Sequence, residues 1–98
     1  MTIKNDNIAK VMIDEHGRLL IFPMANSYPM IYREAAEVYW DPKGKYLYAP
    51  KPREWTYLDW FKHIVTTAGD LVLSPHTIWE NIPNDLRREA EKWMKDVR

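Results

Sequence analysis

Cysteine is missing altogether from the 98 residues, which excludes a disulfide framework and any thiolate metal site. A reducing compartment suits such a chain, and cytoplasmic residence is the expectation. Glycine occurs only three times, at positions 17, 44 and 69, too sparsely for a Walker-type or dinucleotide phosphate loop. No hydrophobic run approaches the ~20 residues of a membrane span, and the first seven residues carry no apolar stretch of signal-peptide length. No membrane partner is expected. Net charge is missing too: fourteen Lys and Arg balance fourteen Asp and Glu. That balance counts against nucleic acid as a partner, because phosphate neutralisation by a basic excess supplies most of that affinity. It also weakens repulsion between copies of the chain, which favours self-association.

What the chain has in plenty is aromatic surface. Five Trp, six Tyr and two Phe make up 13% of it, and each such ring can bury roughly 150–250 Å². One domain over 1–98 is expected, with 1–7 as an N-terminal tail. Ile8–Ile13 and Arg18–Pro23 read as a hairpin around Asp14-Glu15-His16-Gly17. Pro29 suits the first position of a short helix through Ala35. Glu37–Asp41 and Lys45–Ala49 read as a second hairpin around Pro42-Lys43-Gly44. Period-two alternation there sets Val38, Trp40 and Leu47 on one face and Tyr39, Tyr46 and Tyr48 on the other.

Pro50 and Pro52 end the second hairpin, and a helix follows. Thr56 is its N-cap, Asp59 completes a capping box, Trp55 and Trp60 have hydrophobic-staple spacing, and Gly69 supplies the left-handed C-cap. Leu71-Val72-Leu73 reads as a short fifth strand, and His76–Glu80 as one helical turn. Pro83 opens a last helix with an apolar stripe of Leu86, Ala90, Trp93, Met94 and Val97. The fold class is therefore α+β: an antiparallel sheet of two β-hairpins plus a fifth short strand, with both helices packed on one face as a two-layer sandwich.

Catalytic sets are harder to find. His16 falls in a turn and His63 on the polar helix face, both positions of solvated side chains. His76 and Glu80, four apart, offer two ligands where a catalytic zinc takes three, so neither a metal nor another cofactor is expected. Ser27 and Ser74 lack a nucleophile-elbow context. Arg87, Arg88, Lys92, Lys95 and Arg98 are interleaved with Glu89, Glu91 and Asp96, as on a solvated helix. The densest unusual segment is Pro50–Tyr57. Trp40, Tyr48, Arg53, Trp55 and Tyr57 are the candidate rim of a ligand or partner groove, since Trp, Tyr and Arg dominate interface hot spots. Tyr39, Tyr46 and Tyr48, on a face the two helices leave open, are the candidate homodimer interface.

Asp14-Glu15-His16-Gly17-Arg18-Leu19-Leu20, Tyr39-Trp40-Asp41 and Pro52-Arg53-Glu54-Trp55 together resemble the small orphan proteins of bacterial integron-type mobile gene cassettes. Such proteins share a genetic context more than a fold or an activity, so the resemblance implies no functional residue. The sequence reading is a non-catalytic binding or interaction module with an aromatic groove. The alternatives are a small enzyme using His76 and Glu80, or His63, beside an aromatic pocket, and a nucleic-acid-binding regulator.

Overall fold

The computed structural model describes residues 6–97, without the Val97 side chain; the expected tail at 1–5, and the stripe and basic positions at Val97 and Arg98, lie outside the described side chains. Asp6 and Asn7, read as tail, open the first strand. The elements are β1 (Asp6–Ile13), β2 (Leu19–Pro23), a 3-10 turn (Ile31–Arg33), β3 (Tyr39–Asp41), β4 (Tyr46–Ala49), α1 (Tyr57–Ala68), β5 (Leu71–Val72), β6 (Ile78–Glu80) and α2 (Asn84–Val97). The fold is α+β, and its sheet is mostly antiparallel.

Sheet order is β3-β4-β2-β1, with β5 and β6 both on the far edge of β1. The two hairpins form as read. Val11 pairs with Ile21 and Ile13 with Leu19 across the first, while Leu19 and Ile21 pair in turn with Ala49 and Leu47. The last two strands run parallel to β1, and one of them replaces the expected helical turn. Asp6 and Asn7 pair with β5, then Lys10, Val11 and Met12 pair with Ile78, Trp79 and Glu80. Asn81, with φ 57°, takes the left-handed conformation that ends β6 and donates through its side-chain amide to the Ile13 carbonyl at 2.9 Å. A 76–80 helix thus gives way to a strand because an open edge of β1 offers partners.

Thr77 closes the break between β5 and β6. Its buried hydroxyl donates to the Ile8 carbonyl at 2.6 Å and accepts the Ser74 N–H at 3.0 Å. The ladder also shifts register between Ile8 and Lys10. Strict alternation puts Ile8 and Val11 on opposite faces; the irregularity brings both into the core, where each is fully buried.

α1 forms for the reasons its sequence carries. Thr56 Oγ1 accepts the Asp59 N–H at 3.1 Å, Asp59 Oδ2 accepts the Thr56 N–H at 3.0 Å, and Gly69 caps the far end at φ 88°. Trp60, Phe61, Ile64 and Val65 are buried in one cluster with Ile8, Val11, Leu19, Ile21, Leu47 and Leu71. α2 adds Ala90 and Met94 to the same cluster, and its Trp93 meets Phe61 edge-on at 6.1 Å. Both helices therefore cover the same sheet face.

Among the described residues, no helix lies over the opposite face. Phe22, Tyr46 and Tyr48 run across it in ring contact, with centroids 5.0 Å apart for Phe22 and Tyr46 and 5.8 Å for Tyr46 and Tyr48. Cations cap this strip: Lys10 lies 4.6 Å from the Phe22 ring and Arg18 5.0 Å from that of Tyr48. Arg18 is itself held by Asp14 at 2.8 Å. Partial burial pushes the Asp14 carboxyl up, but the backbone N–H and guanidinium of Arg18 and the His16 N–H outweigh it and leave the group below its ordinary range.

Candidate functional site

A cleft of about 700 Å³ opens where the 36–37 turn, the 50–55 segment and the first half of α1 meet. Its aromatic part is Trp55, Trp60 and His63, and its charged part is Glu37, Lys51, Arg53 and Glu54. A second depression shares Glu37, Pro50, Lys51 and Arg53 and extends it along the proline segment.

Local structure explains each placement. Pro50 and Pro52 hold the segment after β4 extended and out of the ladder. The capping box then fixes the angle at which the chain enters α1, so that Trp55, just before the cap, lies on Trp60 in the first turn, with ring centroids 4.8 Å apart. His63 follows Trp60 by three residues and so lies on the same side of the helix. Its ring meets Trp55 edge-on at 5.3 Å and Trp60 at 5.9 Å.

Glu37 reaches the mouth by a less ordinary route. It is a non-glycine residue at φ 63°, a left-handed conformation that costs roughly 1–2 kcal/mol and persists where surrounding structure enforces it. Its carboxylate meets Arg53 Nη2 at 3.3 Å, with the Arg53 side chain 79% exposed. An ion pair so wet contributes little stability. Arg53 is therefore tethered at the mouth yet free to exchange partners. Trp60 presents the opposite case: the residue is 8% exposed, and its Nε1 is a buried donor with no hydrogen-bond partner among the described residues. Such a group ordinarily finds an acceptor.

Of the five rim candidates, the structure brings Arg53 and Trp55 together in the cleft and places the others elsewhere. Trp40 lies toward the core side of β3, against Tyr28 at 5.8 Å. Tyr48 lies on the open sheet face beneath Arg18. Tyr57 donates its hydroxyl to the Gly17 carbonyl at 2.8 Å, tying α1 to the first hairpin turn. Tyr39, Tyr46 and Tyr48 do share the open face. The histidines also separate. His16 and His76 are exposed in turns, Glu80 pairs with Lys10 at 3.5 Å from β6, and His76 and Glu80 share no helical face. His63 is half-buried against two tryptophans rather than solvated. Among the described residues, no group of three or more His, Asp or Glu could hold a metal ion, and no helix is long and apolar enough to cross a membrane.

The family model of Integron Cassette Protein Hfx_Cass5 matches residues 6–74. The chain belongs to that family. A solved structure of the same description, the integron cassette protein Hfx_Cass5 from the mobile metagenome of the North West Arm sewage outfall, is 39% identical to it. That comparison covers 96% of this chain and 99% of the other, at a TM-score of 0.49. No curated protein matches the chain. The segment matched to the Hfx_Cass5 family runs from β1 through β5 and contains every residue that lines the cleft, while β6 and α2 follow it.

Proposed function

We propose that this member of the Hfx_Cass5 family is a non-catalytic cytoplasmic binding module whose ligand site is the Trp55–Trp60–His63 cleft. The observation that carries this reading is the cleft itself: a concavity of about 700 Å³ that joins stacked aromatic surface to a loosely paired Arg53 and Glu37. Small-molecule sites are typically concavities of this size, with apolar and aromatic walls and a few polar groups that orient the ligand. His63 supplies one imidazole but no hydrogen-bonded nucleophile or orienting carboxylate accompanies it among the described contacts, which favours binding over catalysis. Saturation-transfer NMR with phenol and indole as probes tests the site. Transfer lost in Trp55→Ala supports the reading, and transfer unchanged in that variant overturns it.

The open sheet face supports a second assignment, a homodimer built on Tyr39, Tyr46 and Tyr48. Tyr39 and Ile78 are 46% and 59% exposed at its two sides, and no helix among the described residues lies over the strip between them. The face carries Lys10 and Arg18 with Glu80, so a second copy related by a two-fold axis meets both signs of charge around an apolar centre. Zero net charge removes long-range repulsion between the copies.

A further inference from the structure

We propose that the cleft selects planar ring compounds bearing a carboxylate, held by stacking on Trp55 and by hydrogen bonds from Trp60 Nε1 and Arg53. The inference rests on the cleft being a ligand site and adds the chemical class of the ligand.

The unsatisfied group is a donor. Trp60 Nε1 is buried without a partner among the described residues, in a residue that lines the cleft, and indole nitrogen can only donate. A ligand that corrects this must bring an acceptor. Arg53, at the mouth of the same cleft, is held by one 3.3 Å contact to Glu37 in an exposed setting. Its planar fork suits a carboxylate better than a single long approach to Glu37 does. A ligand carboxylate that spans the two donors replaces a weak surface pair and satisfies a buried N–H at once.

The ring requirement comes from the aromatic geometry. Trp55 is 45% exposed, yet its ring abuts both Trp60 and His63. It belongs to the irregular 50–56 segment, outside any helix or strand. In the proposed complex Trp55 rotates to admit a flat ring between the two indoles, with His63 at its end. An ammonium ion fits this arrangement poorly. Cation recognition needs open ring faces converging on a vacancy, whereas these three rings sit 4.8–5.9 Å from one another and touch. A cation also leaves the buried Trp60 donor unsatisfied, since it brings no acceptor.

Nitrogen-15 spectra resolve the indole N–H of each tryptophan, with Trp60 assigned by Trp60→Phe. Benzoate, toluene and benzyltrimethylammonium are titrated in parallel. Benzoate is expected to move the Trp60 indole N–H downfield saturably, and Arg53→Gln to weaken it about tenfold, the equivalent of one charge-assisted hydrogen bond. Toluene affinity should be unchanged in Arg53→Gln. Saturable, Trp55-dependent binding of toluene or the ammonium ion at least as tight as that of benzoate overturns the ligand class and leaves the cleft as a site. Absence of any Trp55-dependent binding by all three overturns both. Backbone dispersion in the same spectra reports whether each variant is folded.

Discussion

Replacing Thr77 by valine removes one oxygen atom and almost no volume, so it isolates the hydroxyl that spans the break between β5 and β6. Thr77 is 7% exposed, and its Oγ1 serves two backbone groups: it donates to the Ile8 carbonyl at 2.6 Å and accepts the Ser74 N–H at 3.0 Å. Ile8 is fully buried, so its carbonyl has no route to water once the hydroxyl is gone. An orphaned buried acceptor costs about 1–3 kcal/mol. The Ser74 N–H, in a half-buried turn, recovers part of its loss from solvent and adds roughly 0.5–1 kcal/mol. The two add up to about 1.5–4 kcal/mol, which corresponds to a melting temperature lower by roughly 6–30 °C in a domain of this size. Thermal unfolding followed by circular dichroism measures it, with Thr77→Ser as the variant that keeps the hydroxyl and should lose far less. Amide exchange should accelerate first in β6. A Thr77→Val protein that melts within about 3 °C of the parent would refute the claim that this side chain joins the two strand pairings.

Four further outcomes are expected. Trp60→Ala should cost about 3–5 kcal/mol by urea unfolding, as large aromatic deletions from cores do. Gly69→Ala should cost about 1 kcal/mol through backbone strain alone, because its φ is 88° and a Cβ there meets nothing within 4 Å; a destabilised protein whose neighbouring chemical shifts are unmoved is the signature. Burial, aided by the hydrogen bond to Asp70 Oδ1 at 2.6 Å, pushes the Tyr28 hydroxyl above its ordinary range. A raised folded value means that its contribution is complete below the unfolded tyrosine value of about 10 and is lost as pH rises beyond it, so alkaline urea midpoints should fall more steeply in the parent than in Tyr28→Phe. Light scattering at micromolar concentration should give a dimer mass, reduced to monomer by Tyr46→Glu with circular dichroism unchanged; a parent that is monomeric throughout sinks the dimer.

Local signals were legible in the sequence and distant ones were not. The capping box at Thr56 and Asp59, the staple of Trp55 on Trp60 and the glycine cap at 69 each involve residues within five positions, and all formed as read. Ile78-Trp79-Glu80 offers only three residues, and its strand conformation depends on Lys10, Val11 and Met12 far up the chain; nothing local distinguishes it from a helical turn. The groove is a different case. Trp40 and Tyr48 fall on opposite faces by strand parity, with Trp40 opposite Leu47 and Tyr48 opposite Tyr39, so alternation already separated two residues that nearness to the proline segment had grouped. His63 and Trp60 were legible as helical neighbours three apart. What the helical wheel omits is Trp55, which folds back from outside the helix and turns a nominally polar flank into an aromatic wall.

The position of β1 bears on the order in which the protein can assemble as it leaves the ribosome. β2 can pair with it at once, since the first hairpin closes over five residues between Ile13 and Leu19. Its other edge waits for Leu71 and Val72, and then for Ile78 to Glu80. Until those residues emerge, the nascent chain displays an unpaired strand edge beside an apolar hairpin, the kind of surface that recruits chaperones or a neighbouring chain on the same message. The edge is therefore sealed only once residues 78–80 have left the ribosome, and a fragment ending before residue 71 should misassemble more than one ending after residue 80.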